Sequence, residues 1–495
     1  MKLSDLLVGF DYEVLQGNPE TDVTGLEYDS RKVESGDVFI CIPGFKTDGH
    51  LYAPQACERG AQALIVERRI ELPPDITAVL VKNVRQALPV LASRFFERPS
   101  SHLRVIGVTG TNGKTTTTHL IKAILEEAGH RVGLLGTLYA DWNGQQDKIS
   151  NTTPESVELE RFMKRVLDDG GKYVVMEVSS HALDLGRVAE IDFDVAVFTN
   201  LTQDHLDYHV SLENYREAKA ILFDNLVPAP HHFAVLNADD ETSHVFAART
   251  RAEWLSFGIH QTADVRAVDA KIGATGSTFT AVFGQGRMEI QLKLAGLFSI
   301  YNALAAIAFG LREGIEPEVI TRALEKVKGV PGRFESIDDG QEYAVIVDYA
   351  HTPDGLENIL RTAKQIAKRR IITVFGCGGD RDRTKRPIMG GISGQYSDFT
   401  IVTSDNPRSE EPLAIIEEIL VGLREQKDAH YAVVPDRREA IRHAVHLAAK
   451  DDLVIIAGKG HEDYQIVKGQ ILPFDDREVA RDCIREKEEH DRNLD

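Results

Sequence analysis

The apolar run Leu103-Arg-Val-Ile-Gly-Val-Thr109 passes directly into Gly110-Thr-Asn-Gly-Lys-Thr-Thr116, and a helical pattern begins at Lys114. A strand, a tight glycine turn and a helix in that order admit few folds, because the helix must pack back onto the sheet that the strand joins. Gly110 and Gly113 allow backbone N–H groups to turn toward one point at the helix N-terminus, where the helix dipole favours an anion. Lys114 then reaches the outer phosphates of a nucleotide, and the Thr115 hydroxyl serves a Mg²⁺ ion. Thr111, Asn112 and Thr116 complete the loop. The general phosphate loop has Gly where this chain has Val108, and a Gly-Lys-Thr turn also occurs as plain chain punctuation.

The same rhythm recurs along the chain. Strand-like runs at 173–178, 195–199 and 233–236 alternate with helical stretches such as 215–226, which predicts an α/β parallel sheet. The helical 301–312 and 317–327 lead to Gly329-Val-Pro-Gly-Arg333, a hinge signal. Beyond it, runs at 343–347, 370–375, 399–403 and 453–457 each end in a polar loop with Gly or Pro. Ligands of an open parallel sheet bind beyond the carboxyl ends of its strands, so loops 348–352, 376–382, 404–408 and 458–462 are expected to face one site. With 495 residues the chain exceeds one compact core, and the patterns divide it at 1–98, 99–332 and 333–495. The charged end, 485–495, is expected to be solvated and frayed.

Composition removes several classes. A net charge of −20 argues against a nucleic-acid partner, which needs a basic surface. No apolar run approaches the ~18 residues of a spanning helix, and Met1 to Phe10 lacks the form of a signal peptide, so no membrane association is expected. The four cysteines, Cys41, Cys57, Cys377 and Cys483, are scattered without a CxxC pair, which suits free thiols in a cytoplasmic protein. An acidic chain that handles anionic substrates must do so through local islands of Arg, Lys, backbone N–H and metal.

Those islands carry a resemblance. The octet 109–116 is the variant found in Mur ligases and in folylpolyglutamate synthetase, and the later segments follow in Mur ligase order. Met176-Glu-Val-Ser-Ser-His181 resembles the segment in which a glutamate binds Mg²⁺, and Asn200-Leu-Thr-Gln-Asp-His-Leu-Asp207 the one supplying a histidine ligand. Singly, Glu177 reads as a strand-end carboxylate and His205 as a loop histidine. With Thr115 they make a set suited to a hard cation. Lys219, in Tyr215-Arg-Glu-Ala-Lys219, matches the lysine that the family carboxylates to N6-carboxylysine, an anion able to help hold a second Mg²⁺. On residues alone it reads as a solvated helix lysine. Tyr301-Asn302, at a helix start, resembles the adenine-side asparagine, Arg333 the hinge arginine that meets phosphate, and Asp348 the ribose contact.

The resemblance also implies the substrates. Ser30, in Tyr28-Asp-Ser-Arg31, matches the residue that contacts the UDP part of a UDP-muramoyl dipeptide. Asn151, Thr152 and Thr153, with Ser179 and Arg187, would hold its peptide region. Ser404-Asp-Asn-Pro-Arg408 matches the Asp405, Asn406, Pro407, Arg408 motif of family members that add meso-diaminopimelate; lysine-adding members typically lack the arginine. Arg381, Gly458 and Glu462 would complete that pocket, the arginines pairing with a carboxylate and Glu462 with an ammonium. The implied protein is a monomeric three-domain α/β enzyme: a UDP-precursor domain, a central parallel-sheet P-loop ATPase domain and a C-terminal Rossmann-like domain. It would form an amide bond through an acyl phosphate, using ATP and Mg²⁺, with Lys114, Lys219, Glu177 and His205 as its catalytic set. A lysine-adding ligase, a folylpolyglutamate-type ligase and a nucleotide-dependent binding protein are the competing readings.

Overall fold

The computed structural model describes residues 1–44, 47–149, 151–273 and 276–492. Three large sheets follow one another along the chain. In the first, Thr77–Val81, Ala63–Val66, Asp37–Ile40 and Gly25–Glu27 run parallel in that spatial order, with Tyr12–Gln16 antiparallel at one edge. The second has a parallel centre in the order Val132–Leu135, Tyr173–Glu177, Arg104–Thr109, Val195–Phe198, Phe233–Asn237, Glu253–Gly258. The third runs Ala344–Asp348, Leu453–Ala457, Ile371–Phe375, Phe399–Val402, Tyr431–Val433, all parallel, with Glu335–Ile337 antiparallel at its edge.

The central strands are buried on both faces, which explains why 104–109 and 195–198 read as continuous apolar runs rather than alternating ones. Two extensions of this sheet lie outside the patterns read above. Val265–Gly273, Gly276–Phe283 and Gly286–Leu292 continue it, the last two antiparallel, and Ala140–Trp142 with Gln145–Asp147 form a hairpin at the other edge. Residues 286–292 alternate exposed and buried, as a strand with one wet face must. The alternation is present in Arg287-Met-Glu-Ile-Gln-Leu292, so this strand was readable from period alone.

Two boundaries differ from the expectation. The helix assigned from Tyr301 begins at Leu297, which places Asn302 in its second turn rather than at its start. Gly296, at φ +99, provides the non-helical entry. Residues 485–492 are also more ordered than expected, since a helix runs from Asp476 to Arg492, and the rest of the segment lies outside the described residues. Val479, Ala480, Cys483 and Ile484 form a buried stripe against the third sheet, and Arg485 pairs with Asp339 at 2.7 Å. The charges of this segment are the wet face of a docked helix.

One buried ion pair ties the third domain's loops together. Arg437 and Asp476 are fully buried and paired at 2.7 Å, and Arg437 also donates to the carbonyls of Ala457 at 3.0 Å and Ser404 at 3.4 Å. These carbonyls precede Gly458 and Asp405. Asp476→Ala leaves a guanidinium buried without its counter-charge and is expected to cost about 3–5 kcal/mol, whereas Arg437→Met with Asp476→Leu costs much less. Chemical denaturation of both variants measures the difference, and equal losses would contradict it.

Candidate active site

A cleft of about 510 Å³ opens beyond the carboxyl ends of the central strands. Its lining includes the phosphate loop from Thr111 to Thr116, Glu177, His205 and Asn302 of the second domain. Arg333, Asp348 and Tyr349 close it from the third.

Loop geometry follows from its glycines. Gly113 has φ +86, and a Cβ there would lie 2.3 Å from Asn302 Oδ1, so only glycine lets the loop pass this side chain. Thr199 Oγ donates to the Asn112 carbonyl at 2.7 Å, and Thr111 N donates to the Asn200 carbonyl at 2.8 Å. Lys114 Nζ donates to the carbonyls of Gly110 and Thr111, both at 2.8 Å. Burial draws its pKa down, against the opposing pull of Glu177 and Asp204.

Lys219 sits behind the loop and does not line the cleft. It is buried, donates to the Gly110 carbonyl at 2.9 Å and lies over the Tyr215 ring at 4.5 Å. The solvated reading of this lysine is therefore wrong. Burial, then the nearby Lys114 charge, hold its pKa well below that of a free lysine.

Glu177 ends its strand buried, with Oε1 accepting from Thr137 N at 2.8 Å and Oε2 from Thr137 Oγ at 3.0 Å. His205 is left-handed at φ 55, with Nε2 3.3 Å from Asp204. Burial, and then the positive neighbours His181, Lys219 and Lys114, outweigh Asp204 and bring its pKa down to about 3. Burial would raise Asp204, yet His205, His351 and Lys385 hold it at about 2. Among the described residues no three His, Cys, Asp or Glu side chains gather into a metal cage. The Thr115 hydroxyl, the Glu177 carboxylate and a neutral His205 do fit a hard cation whose shell is completed by phosphate oxygens.

Across the cleft, Arg333 lies over the Tyr349 ring at 4.5 Å and donates to Thr115 Oγ at 2.9 Å, while its buried Nε has no hydrogen-bond partner. An anionic oxygen would satisfy that donor. Asp348 accepts from Phe334 N at 2.6 Å, and burial pushes its pKa up to about 6. Asn112 donates to Asp354 at 2.6 Å, which joins the phosphate loop directly to a third-domain helix. His351 lies in loop 348–352, which was expected to face the site, whereas Asp354 and Thr137 meet it only through the fold and have no signal in spacing.

Thr152 lines the cleft, with its Oγ 3.1 Å from that of Thr137. Thr153 donates to the Glu177 carbonyl at 2.8 Å and accepts from Ser179 N at 3.0 Å. Ser179 caps a helix, and Arg187 donates to the Thr153 carbonyl at 3.0 Å and pairs with Glu155. These residues, with Asn151 next in the chain, form one loop cluster beside Glu177. Ser30 lies apart in the first domain, where it donates to Gln55 at 2.7 Å.

The third-domain residues form a second group. Asn406 donates to Glu462 at 2.8 Å, and Arg408 donates to the Gly379 carbonyl at 2.8 Å. Arg408 is left-handed at φ 53, pinned where its N–H donates to the Ile466 carbonyl and its carbonyl accepts from Lys468 N. Burial, then the neighbouring Arg381, lower its pKa. Asp405 Oδ2 is buried without a partner, and Gly458, at φ +117, leaves the space that a Cβ 2.6 Å from that oxygen would take. Tyr349 connects the two groups: it lines the cleft, and its hydroxyl lies 3.4 Å from Glu462.

A nucleotide-type loop, a carboxylate and histidine beside it, and a second group of opposed charges in the third domain suit an ATP-using ligase. Family models agree over most of the chain: "Mur ligase family, catalytic domain" over 22–96, "Mur ligase middle domain" over 108–310 and "Mur ligase, glutamate ligase domain" over 332–460. The chain belongs to the Mur ligase family. A Syntrophomonas wolfei protein named UDP-N-acetylmuramoyl-L-alanyl-D-glutamate–2,6-diaminopimelate ligase is 54% identical over 488 residues, 98% of this chain and 100% of that protein. A Bacillus cereus protein of the same name is 48% identical over 94% of each chain. A solved structure bearing that name is 33% identical, covers 99% of each chain and superposes with a TM-score of 0.67. No helix among the described residues is long and apolar enough to cross a membrane.

Proposed function

We propose that this chain joins meso-diaminopimelate to UDP-N-acetylmuramoyl-L-alanyl-D-glutamate in peptidoglycan precursor synthesis, with ATP cleaved to ADP and phosphate. The relatives of that name match along almost their whole length. The observation that carries the reading is the gathering of opposed charges in the third domain: Arg408 with Arg381 beside it, close to Glu462 and to Asp405, whose buried Oδ2 has no partner. A long zwitterion with a second carboxylate suits it. A lysine substrate would offer Arg408 no second carboxylate to pair with.

The phosphate loop, Asn302, Arg333 and Asp348 bind ATP. Ser30 binds the uridine end of the acceptor, and Asn151, Thr152, Thr153, Ser179 and Arg187 its peptide end. The γ-phosphoryl group passes to the glutamate side-chain carboxylate, giving an acyl phosphate and ADP. The neutral amine of diaminopimelate attacks that carbonyl, the acyl C–O bond breaks with its electron pair leaving on phosphate, and the nitrogen gives up a proton to solvent as the amide forms. Lys114 and Arg333 offset the charge that develops on the phosphates, in a cleft where water screens little. Mg²⁺ held by Thr115, Glu177 and His205 would supply further charge stabilisation. Lys219 reacts as the neutral amine with CO₂, forming a carbamate and releasing a proton; burial, and then the Lys114 charge, lower its pKa and so favour that amine.

Selectivity tests the reading. The parent enzyme is expected to prefer meso-diaminopimelate over L-lysine by up to ~10⁴-fold in kcat/KM, because a site built around a polar partner rejects an analogue that lacks it. Arg408→Ala should lose most diaminopimelate activity and leave the KM values for ATP and the UDP-dipeptide nearly unchanged. Comparable parental values for the two amino acids would sink the assignment.

A further inference from the structure

Lys459 is fully buried, and its ammonium ends against Glu462 and Asn406 of the third-domain group. Its Nζ donates to Glu462 Oε2 at 3.0 Å and to Asn406 Oδ1 at 3.3 Å, and lies 5.5 Å from the centre of the Tyr464 ring. Gly458 at φ +117 and Gly460 at φ +53 flank it. A Cβ at Gly460 would press on the Gly332 carbonyl and on Tyr349, so this turn, with the lysine at its centre, tolerates only glycine there.

The hydrogen bonds have one consistent assignment. Ile466 N donates to Asn406 Oδ1 at 2.9 Å, and a backbone N–H can only donate, so the amide nitrogen of Asn406 faces Glu462. Glu462 Oε2 therefore accepts from both Asn406 and Lys459, and Oε1 is left on the side of Tyr349 and the nucleotide cleft. An ammonium arriving at this carboxylate meets an oriented oxygen.

We propose that Lys459 is a positioning residue, which holds Glu462 as a fixed anion with Oε1 presented to the ammonium of the incoming amino acid. This rests on the reading of the third-domain pocket given above. Lys459 itself is too buried to touch substrate. Its second effect is electrostatic. Burial, and then Asp405, raise the pKa of Glu462, while Lys459 and Asn406 oppose them. Arg408, Arg437, Tyr349 and Tyr464 are the other charged or titratable groups within its reach. Without Lys459 the carboxylate protonates at a higher pH and loses its hold on a cation sooner as pH falls.

The test is the kinetics of all three substrates for Lys459→Met, Lys459→Arg, Glu462→Gln and Lys459→Met with Glu462→Gln, with a pH profile of kcat/KM for diaminopimelate. Lys459→Met is expected to raise the diaminopimelate KM on the order of ten- to a hundredfold, as loss of a hydrogen bond to a charged group does. The KM values for ATP and UDP-dipeptide should stay nearly unchanged, and the acid limb should move to higher pH. Lys459→Arg should restore much of the loss and return the limb. An unchanged diaminopimelate KM and limb in Lys459→Met, with Glu462→Gln impaired, would overturn the proposal, as would an equal rise in all three KM values. A Glu462→Gln enzyme unaffected toward diaminopimelate would instead overturn the pocket reading. Should Lys459→Met fail to fold, the double variant, with both charges removed, decides. A loss equal to that of Glu462→Gln supports the proposal, and a further loss of about tenfold or more contradicts it.

Discussion

Lys114→Ala is expected to lower ligation by roughly 10³-fold or more, and ADP release with it, because removing one preorganised charge or donor from a phosphoryl-transfer site costs that much. The side chain is already aimed by its own loop, with Nζ on the carbonyls of Gly110 and Thr111. Binding of ATP exchanges those carbonyls for phosphate oxygens, which the buried ammonium meets with little water to screen it. Both chemical steps follow phosphate positioning, so the two readouts fall together. The fold should tolerate the change, since the helix after Lys114 is anchored by Leu120, Ile121, Ile124 and Leu125 in the central core. The measurement is ADP formation and amide formation in parallel. Ordinary turnover would remove the phosphate loop from the mechanism, and ADP release that persists without ligation would place Lys114 in the second step alone.

Lys219→Ala should be almost as severe, with one difference that marks its chemistry. A carbamate on Nζ is an anionic ligand, and acetate or formate can enter the space left by the alanine and replace it. The expected result is a loss of about 10²-fold or more, partly reversed by millimolar carboxylate, with no such rescue of Lys114→Ala. The setting favours the neutral amine that CO₂ requires: Lys219 is buried behind the loop, with the Lys114 charge close by. It also argues against a purely structural lysine, since one 2.9 Å hydrogen bond to the Gly110 carbonyl and the Tyr215 ring are a poor exchange for burying an ammonium. A variant with near-parental activity that gains nothing from acetate would return Lys219 to a packing role.

Local chemistry wrote much of this site into the chain. The turn at Gly110–Gly113 was legible as a phosphate-loop signal, because a strand feeding a helix through two glycines aims backbone donors at one point. Strands such as 104–109, 371–375 and 453–457 were readable because burial on both faces demands unbroken apolar runs. The ends of elements were less so: the helix begun at Leu297 extends one turn before Tyr301, and charged residues from 485 onward continue a helix docked through Val479 and Ile484. Residues that act through space had no local signature at all. Thr137 holds Glu177 because adjacent strands place them side by side, and Asn112 meets Asp354 only where two domains close. The burial of Lys219 is of the same kind. From Tyr215-Arg-Glu-Ala-Lys219 alone the lysine fits a wet helix face, and only packing of that helix behind the phosphate loop takes its ammonium out of water. Periodicity and turn chemistry are properties of neighbours in sequence. Desolvation and charge proximity, which set the pKa of Lys219, the neutrality of His205 and the orientation of Glu462, are properties of neighbours in space.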